Sequence, residues 1–174
     1  MAYTLDQFCQ DLHDALIEKV DDESRETVRA NLEKLLANPD FVAETWQEDT
    51  PPGKRVLYHD KDTDVYVLAH VQEEGKKGNP HSHGASWAIY GNATGATDMS
   101  EWRRTNSEDD DHAELVLDKE YSITPGMARA YGPGLIHSTG HPCKSWVLRV
   151  TGTDLDTLPR YRFDAKKDKI LENV

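Results

Sequence analysis

The period of the hydrophobic pattern changes once along this chain, near residue 50, and that change constrains the architecture more than any single motif. Before it, apolar residues recur at helical spacing. TLDQFCQDLHDALIEKV places Leu5, Phe8, Leu12 and Leu16 on one stripe behind a Thr4-to-Gln7 capping-box pattern, and SRETVRANLEKLLANP repeats the design with Val28, Leu32 and Leu35. The pattern predicts two amphipathic helices within residues 4–46. Asn38-Pro39 ends the second, and EDTPPGK at 48–54 turns the chain into a different regime. From about 54 to 155 short runs rich in Val, Tyr, Trp and Ile follow one another: VYVLAHVQ at 65–72, then SWAIYGNATG, AELVLDKEYSI, MARAYG and SWVLRVTG. Gly, Pro and Asp clusters separate them, which predicts a mainly β fold, an antiparallel sandwich or barrel. TNSEDDDH reads as a solvated loop, and residues 156–174 read as a charged, partly ordered tail.

A length of 174 residues suits one domain with a sizeable core. The formal charge of -12 argues against nucleic acid or an anionic membrane as partner, because neutralising phosphates needs a clustered basic surface. No run approaches the roughly 20 apolar residues of a membrane span, and the N-terminus lacks the basic start and apolar centre of a secretory signal, so the expected location is cytoplasmic. The two cysteines, Cys9 and Cys143, form no CxxC. A metal in this chain would be held by nitrogen and oxygen.

The strand VYVLAHVQ divides by parity. Val65, Val67, Ala69 and Val71 make one apolar face for packing; Tyr66, Leu68, His70 and Gln72 make a mixed face suited to lining a pocket. Next comes GNPHSHGASWAIYG, with His81 and His83 one residue apart. On a strand, positions i and i+2 share a side, so two imidazoles can address one ion. Gly75 stands six residues before the pair and Gly95 twelve after it, and GMARAYGPGLIH later supplies Gly126, Gly134 and His137.

This joint spacing of glycines and histidines resembles the two motifs of the cupin superfamily over roughly residues 55–155. The resemblance implies a cupin barrel, of the double-stranded β-helix or jelly-roll type, behind the N-terminal helices. It also implies His81, His83 and His137 as ligands of one metal. Two positions depart from the pattern. Ala88 stands where the first motif has its Glu, and Gly132 stands where the second has its Pro. With Ala88 the expected ligand set is three neutral imidazoles. Such a set leaves three positions open on a six-coordinate iron(II), enough for a bidentate anionic substrate and O2 together; zinc, manganese or nickel is the alternative ion.

Three-histidine iron cupins resemble the cysteine dioxygenase-type thiol dioxygenases, which convert a thiol to a sulfinic acid. That likeness implies Arg55, 26 residues before His81, as a carboxylate-binding residue, with His70 and Gln72 lining the pocket. The Ser, His and Tyr that the family places after the third metal histidine fall here on Val147, Arg149 and Thr151, so the usual tyrosine is missing. Tyr90, which shares the parity of Ala88, becomes the first catalytic candidate beside His70, and Arg149 a second cation for an acidic substrate. A homodimer is a further expectation from the resemblance. A non-redox isomerase or lyase, or a binding module without turnover, are the competing readings. His141, Cys143, His13, His59 and His112 are assigned structural or surface roles, and Trp87, Trp102 and Trp146 packing roles.

Overall fold

The computed structural model describes residues 2–159 and 161–171. Thr4 caps α1 (Leu5–Leu16) and Asp21 caps α2 (Asp22–Leu36), each closing a capping box with the residue three positions on. The helical segment contains three helices rather than the two expected. Asn38-Pro39 ends α2 and also begins α3 (Pro39–Thr45): the Asn38 side chain accepts from the amides of Asp40 and Phe41, and Pro39 occupies the first turn, where its missing N–H has no intrahelical partner to lose.

Eight strands follow, β1 (Gly53–Asp60), β2 (Val65–Gln72), β3 (Ala88–Thr94), β4 (Thr97–Arg104), β5 (Leu115–Ile123), β6 (Ala128–Tyr131), β7 (Ile136–Gly140) and β8 (Ser145–Thr151). They form a five-stranded antiparallel sheet in the order β1-β2-β8-β3-β6 and a three-stranded antiparallel sheet in the order β5-β4-β7. This is the mainly β, cupin-type barrel behind N-terminal helices.

Strand alternation sorts the larger sheet into two environments. Val65, Val67, Ala69, Val71, Ile89, Leu148 and Val150 point outward and join Phe8, Leu12, Val28, Leu32, Leu35 and Trp46 in one buried cluster, so the apolar face of β2 packs against the helices. Each fully buried Val, Leu, Ile or Phe among them contributes on the order of 1.5–3 kcal/mol. The opposite parity, Ala88, Tyr90 and Val147, turns inward and meets Met99, Ile123 and Tyr131 across the barrel. The mixed face of β2 is therefore the inward face. Trp46 ties the two layers together: its indole N–H donates to the His70 carbonyl at 3.2 Å, and its ring stacks on Trp146 at 6.0 Å.

The expected partly ordered tail holds regular structure over residues 162–171, while residues 160 and 172–174 lie outside the described residues. Arg162–Asp164 (β9) and Lys169–Leu171 (β10) form an antiparallel hairpin against the barrel. The Phe163 amide donates to the Pro80 carbonyl at 2.8 Å and the Ser82 amide to the Tyr161 carbonyl at 3.0 Å. Phe163 is buried and anchors the hairpin, in a charged stretch too short to show a period. Among the described residues no helix is long and apolar enough to cross a membrane.

Candidate metal centre

His81 and His83 do not lie on a continuous strand, as their spacing had predicted. The segment is irregular, and Gly84 turns it with φ +59. What fixes it is pairing with β7: His81 and His137 exchange both backbone hydrogen bonds at 2.9 Å, Gly78 donates to Thr139 at 2.9 Å and Gly75 to His141 at 2.8 Å. The motif glycines Gly75, Gly95, Gly126 and Gly134 all adopt positive φ, a region that L side chains rarely enter. At Gly95 space forbids a side chain as well, since a Cβ would stand 2.5 Å from the Lys144 carbonyl oxygen.

The pairing brings three imidazoles together. Ring centroids are 4.6 Å apart for His81 and His137, 4.8 Å for His83 and His137, and 5.3 Å for His81 and His83. One nitrogen from each lies within 4.8 Å of the others. Nδ1 of His81 is 3.0 Å from the Asn79 carbonyl and Nδ1 of His137 is 3.4 Å from that of Leu135, an arrangement that favours the proton on Nδ1 and makes Nε2 the nitrogen that a metal would take. Nε2 of His137 is buried without a hydrogen-bond partner, and burial holds this imidazole neutral by lowering its pKa to about 3. A buried, unpartnered lone pair beside two further imidazoles fits a divalent metal.

Around the triad the wall is aromatic. Ala88 is wholly buried and pairs in register with Tyr131, whose ring stacks on His137 at 5.1 Å. The Tyr131 hydroxyl meets that of Tyr121 at 2.8 Å, and the Tyr121 hydroxyl donates to Glu101 at 2.7 Å. Burial raises the pKa of both phenols, Tyr121 to about 12, so both stay protonated. Glu101 sits directly opposite His137 in the β4–β7 register. Sequence reasoning missed Glu101 and Tyr121; the alternation of TDMSEWRR and LVLDKEYSI was the available signal, but nothing in it showed which face was inward.

The predicted substrate residues separate. Arg149 pairs in register with Leu68 and with Tyr90, which puts it on the inward face, and its guanidinium lies over the Tyr90 ring at 5.9 Å. His70 is on the same face one pair further along, buried, with a pKa lowered to about 3 by burial and then by the charge of Arg149. Gln72 continues that face by another pair, half-buried at the end of β2. Arg55 does not join them. It pairs with Ala69, faces the helices, and donates to the Thr45 carbonyl, in a cavity lined by Trp46, Thr50 and Pro52. Directly paired residues share a face, so Arg55 stands on the wrong side of the sheet to meet a substrate at the triad.

Other assignments are structural. His141 is buried and 3.1 Å from the Ser145 hydroxyl, His13 pairs with Asp60, and His59 stacks on Tyr66. Cys143 is exposed and Cys9 buried. A polar cavity of about 310 Å³ lined by Lys77, Gly78, Asn79, His81 and Arg162 reaches His81 from outside.

No family model and no curated protein matches the sequence. Among solved structures, the chain is similar to a cupin superfamily protein from Desulfitobacterium hafniense, with 12% identity over 63% of this chain and 84% of that one and a TM-score of 0.44. It is also similar to KdgF from a Halomonas species, with 20% identity over 65% and 92% and a TM-score of 0.44. A cupin-2 domain protein from Shewanella frigidimarina gives 12%, 65%, 90% and 0.45. Strand topology and the position of the histidines, rather than these distant likenesses, define the class: a cupin-type barrel with a three-histidine group able to take a metal.

Proposed function

We propose that the protein is a metal-dependent enzyme acting on a small carboxylate-bearing substrate, and that its reaction is the oxidation of a thiol to a sulfinic acid by O2 at iron(II). The observation that carries this reading is the placement of Arg149 on the inward face, over Tyr90 and near a ligand set with no carboxylate. Iron(II), when held by His81, His83 and His137, supplies open coordination positions and redox chemistry for a thiolate and dioxygen. Arg149 binds the substrate carboxylate through its planar fork of donors. Tyr90, 3.3 Å from Nε2 of His83, presents a hydroxyl for proton movement beside the reacting sulfur. Lys77 and Arg162 give the outer cavity a positive rim that favours entry of anions into a protein of net charge -12.

The test is an oxygen-electrode measurement on iron-loaded protein with 3-mercaptopropionate, cysteine and cysteamine. Loss of a charge-assisted hydrogen bond costs on the order of 2–3 kcal/mol, so Arg149→Gln should raise KM roughly 30-fold to 150-fold for the two carboxylates and leave cysteamine unchanged. No oxygen uptake with any thiol at full iron occupancy rejects thiol oxidation. A second reading, non-redox isomerase or lyase chemistry with zinc, manganese or nickel, is favoured by Val147 and Thr151, which replace the hydroxyl and phenol expected beside a thiol. Copurification of one of those ions in place of iron would select it. His137→Ala should strip most of the metal from either enzyme.

A further inference from the structure

Among the described residues, three buried side-chain nitrogens have no hydrogen-bond partner: Nε2 of His137, Nε2 of His70 and Nε of Arg149. The first is accounted for by the metal centre. The other two lie on the inward face of neighbouring strands, diagonal to each other in the β2–β8 register, where long side chains come within reach. A buried polar atom left unpaired costs on the order of 1–3 kcal/mol, so two of them side by side mark a place shaped for something that is bound.

We infer that His70 and Arg149 form one anion-binding subsite that holds the substrate carboxylate between them, with His70 as the specificity-determining partner of the arginine. The inference deepens the proposed function by assigning the second donor. Charge decides the class of ligand. Burial first, and then the positive fields of Arg149, Lys54 and Lys76, keep His70 uncharged. A neutral imidazole beside a guanidinium donates one N–H without adding a second buried charge. The pair therefore carries one positive charge and two unpartnered buried nitrogens, which suits a monoanionic carboxylate rather than a dianionic phosphate. Distance from the triad also follows. Arg149 is at the level of Tyr90, next to His83, and His70 one pair beyond it, so the carboxylate lies on the β2–β8 side while the substrate's other end reaches the histidines.

The test uses metal-free full-length protein, so that it stands apart from the redox chemistry. Propionate, which has a carboxylate and no thiol, is titrated while the imidazole nitrogen signals are followed by NMR, with propionamide as the neutral control. Propionate should shift the His70 Nε2 signal saturably and propionamide should not. Arg149→Gln and His70→Leu should each weaken binding at least tenfold, while His70→Gln, which restores a donor, should recover most of it. Absence of a saturable His70 shift in the unmodified protein, or equal propionate affinity in folded Arg149→Gln, overturns the inference. If propionate binds as expected but no thiol supports oxygen uptake in iron-loaded protein, the carboxylate subsite stands and the proposed reaction falls.

Discussion

Tyr90 places its hydroxyl 3.3 Å from Nε2 of His83, and on its other side its ring lies 5.9 Å from the guanidinium of Arg149. The phenol thus spans the gap between one imidazole of the three-histidine group and the inward-facing Arg149. Strand β3 makes this possible because Ala88 and Tyr90 share a parity, which turns both into the inward cluster beside His137.

Removing the Tyr90 hydroxyl should separate metal binding from turnover. Tyr90→Phe retains the ring that packs on Tyr131 at 5.6 Å, so the fold and the three-histidine group should survive. A positioned proton donor contributes roughly 10²-fold to 10⁴-fold to rate. Metal content by mass spectrometry should stay within a few-fold of the parent protein while kcat falls at least tenfold. Unchanged kcat in a fully loaded variant would remove Tyr90 from the chemistry.

Stability of the metal-free protein should fall in acid through two named histidines. His70 and His137 have pKa values lowered from 6.5 to about 3, in each case chiefly by burial. The unfolded chain takes up protons below 6.5 and the folded one does not until near 3, so the folded state loses ground as pH drops through that window. At pH about 5 the loss is about 2 kcal/mol per histidine. Urea midpoints between pH 7 and 4.5 should show this slope, and His70→Phe should flatten it by about half.

The fold was legible because each of its determinants is local: capping boxes, helical stripes, short β runs and turn glycines. The meeting of His81, His83 and His137 was legible for another reason, since glycines of positive φ and histidines at fixed spacing set where the chain turns and which imidazoles come together. Arg55 and Arg149 mark the limit. Counting residues placed Arg55 beside the substrate, but the side of a sheet that a residue faces depends on pairing register, and Arg55 opposes Ala69 on the helix-packed face. Arg149 opposes Leu68 and Tyr90, and only that pairing turns it inward. Asn38-Pro39 was ambiguous in itself, because the same dipeptide ends one helix and caps another. The hairpin at Arg162–Leu171 depends on Phe163 finding the backbone of Pro80, a contact across half the chain that no local pattern encodes.

Restoring the missing carboxylate should change the ligand set. Ala88 is fully enclosed by Tyr90, Met99, Tyr131 and Val147, so a glutamate there brings a charge into an apolar wall. Metal-free Ala88→Glu should lose stability by several kcal/mol, since a buried unpaired carboxylate is costly. Metal should return much of that loss, giving a larger thermal shift on loading than in the parent protein, and should bind anionic substrates more weakly. An equal metal-induced shift in both proteins would place residue 88 out of reach of the ion.

The C-terminal hairpin should control metal affinity from outside the barrel. Its strand β9 is bonded to the segment that carries His81 and His83, through Phe163 to Pro80 and Tyr161 to Ser82, and the backbone of Arg162 bridges that of His81. Phe163 supplies the apolar anchor, and deleting a buried phenyl ring typically costs about 3–5 kcal/mol. In Phe163→Ala the hairpin should detach before the barrel unfolds, leaving the segment without its hairpin bonds while His81 keeps its pairing with His137 of β7. Amide exchange should rise first at Ser82 and Phe163, and metal affinity should fall tenfold or more, with the helix-packed core unaffected. If affinity holds while exchange rises at those amides, the β7 pairing alone is sufficient to fix the ligand loop.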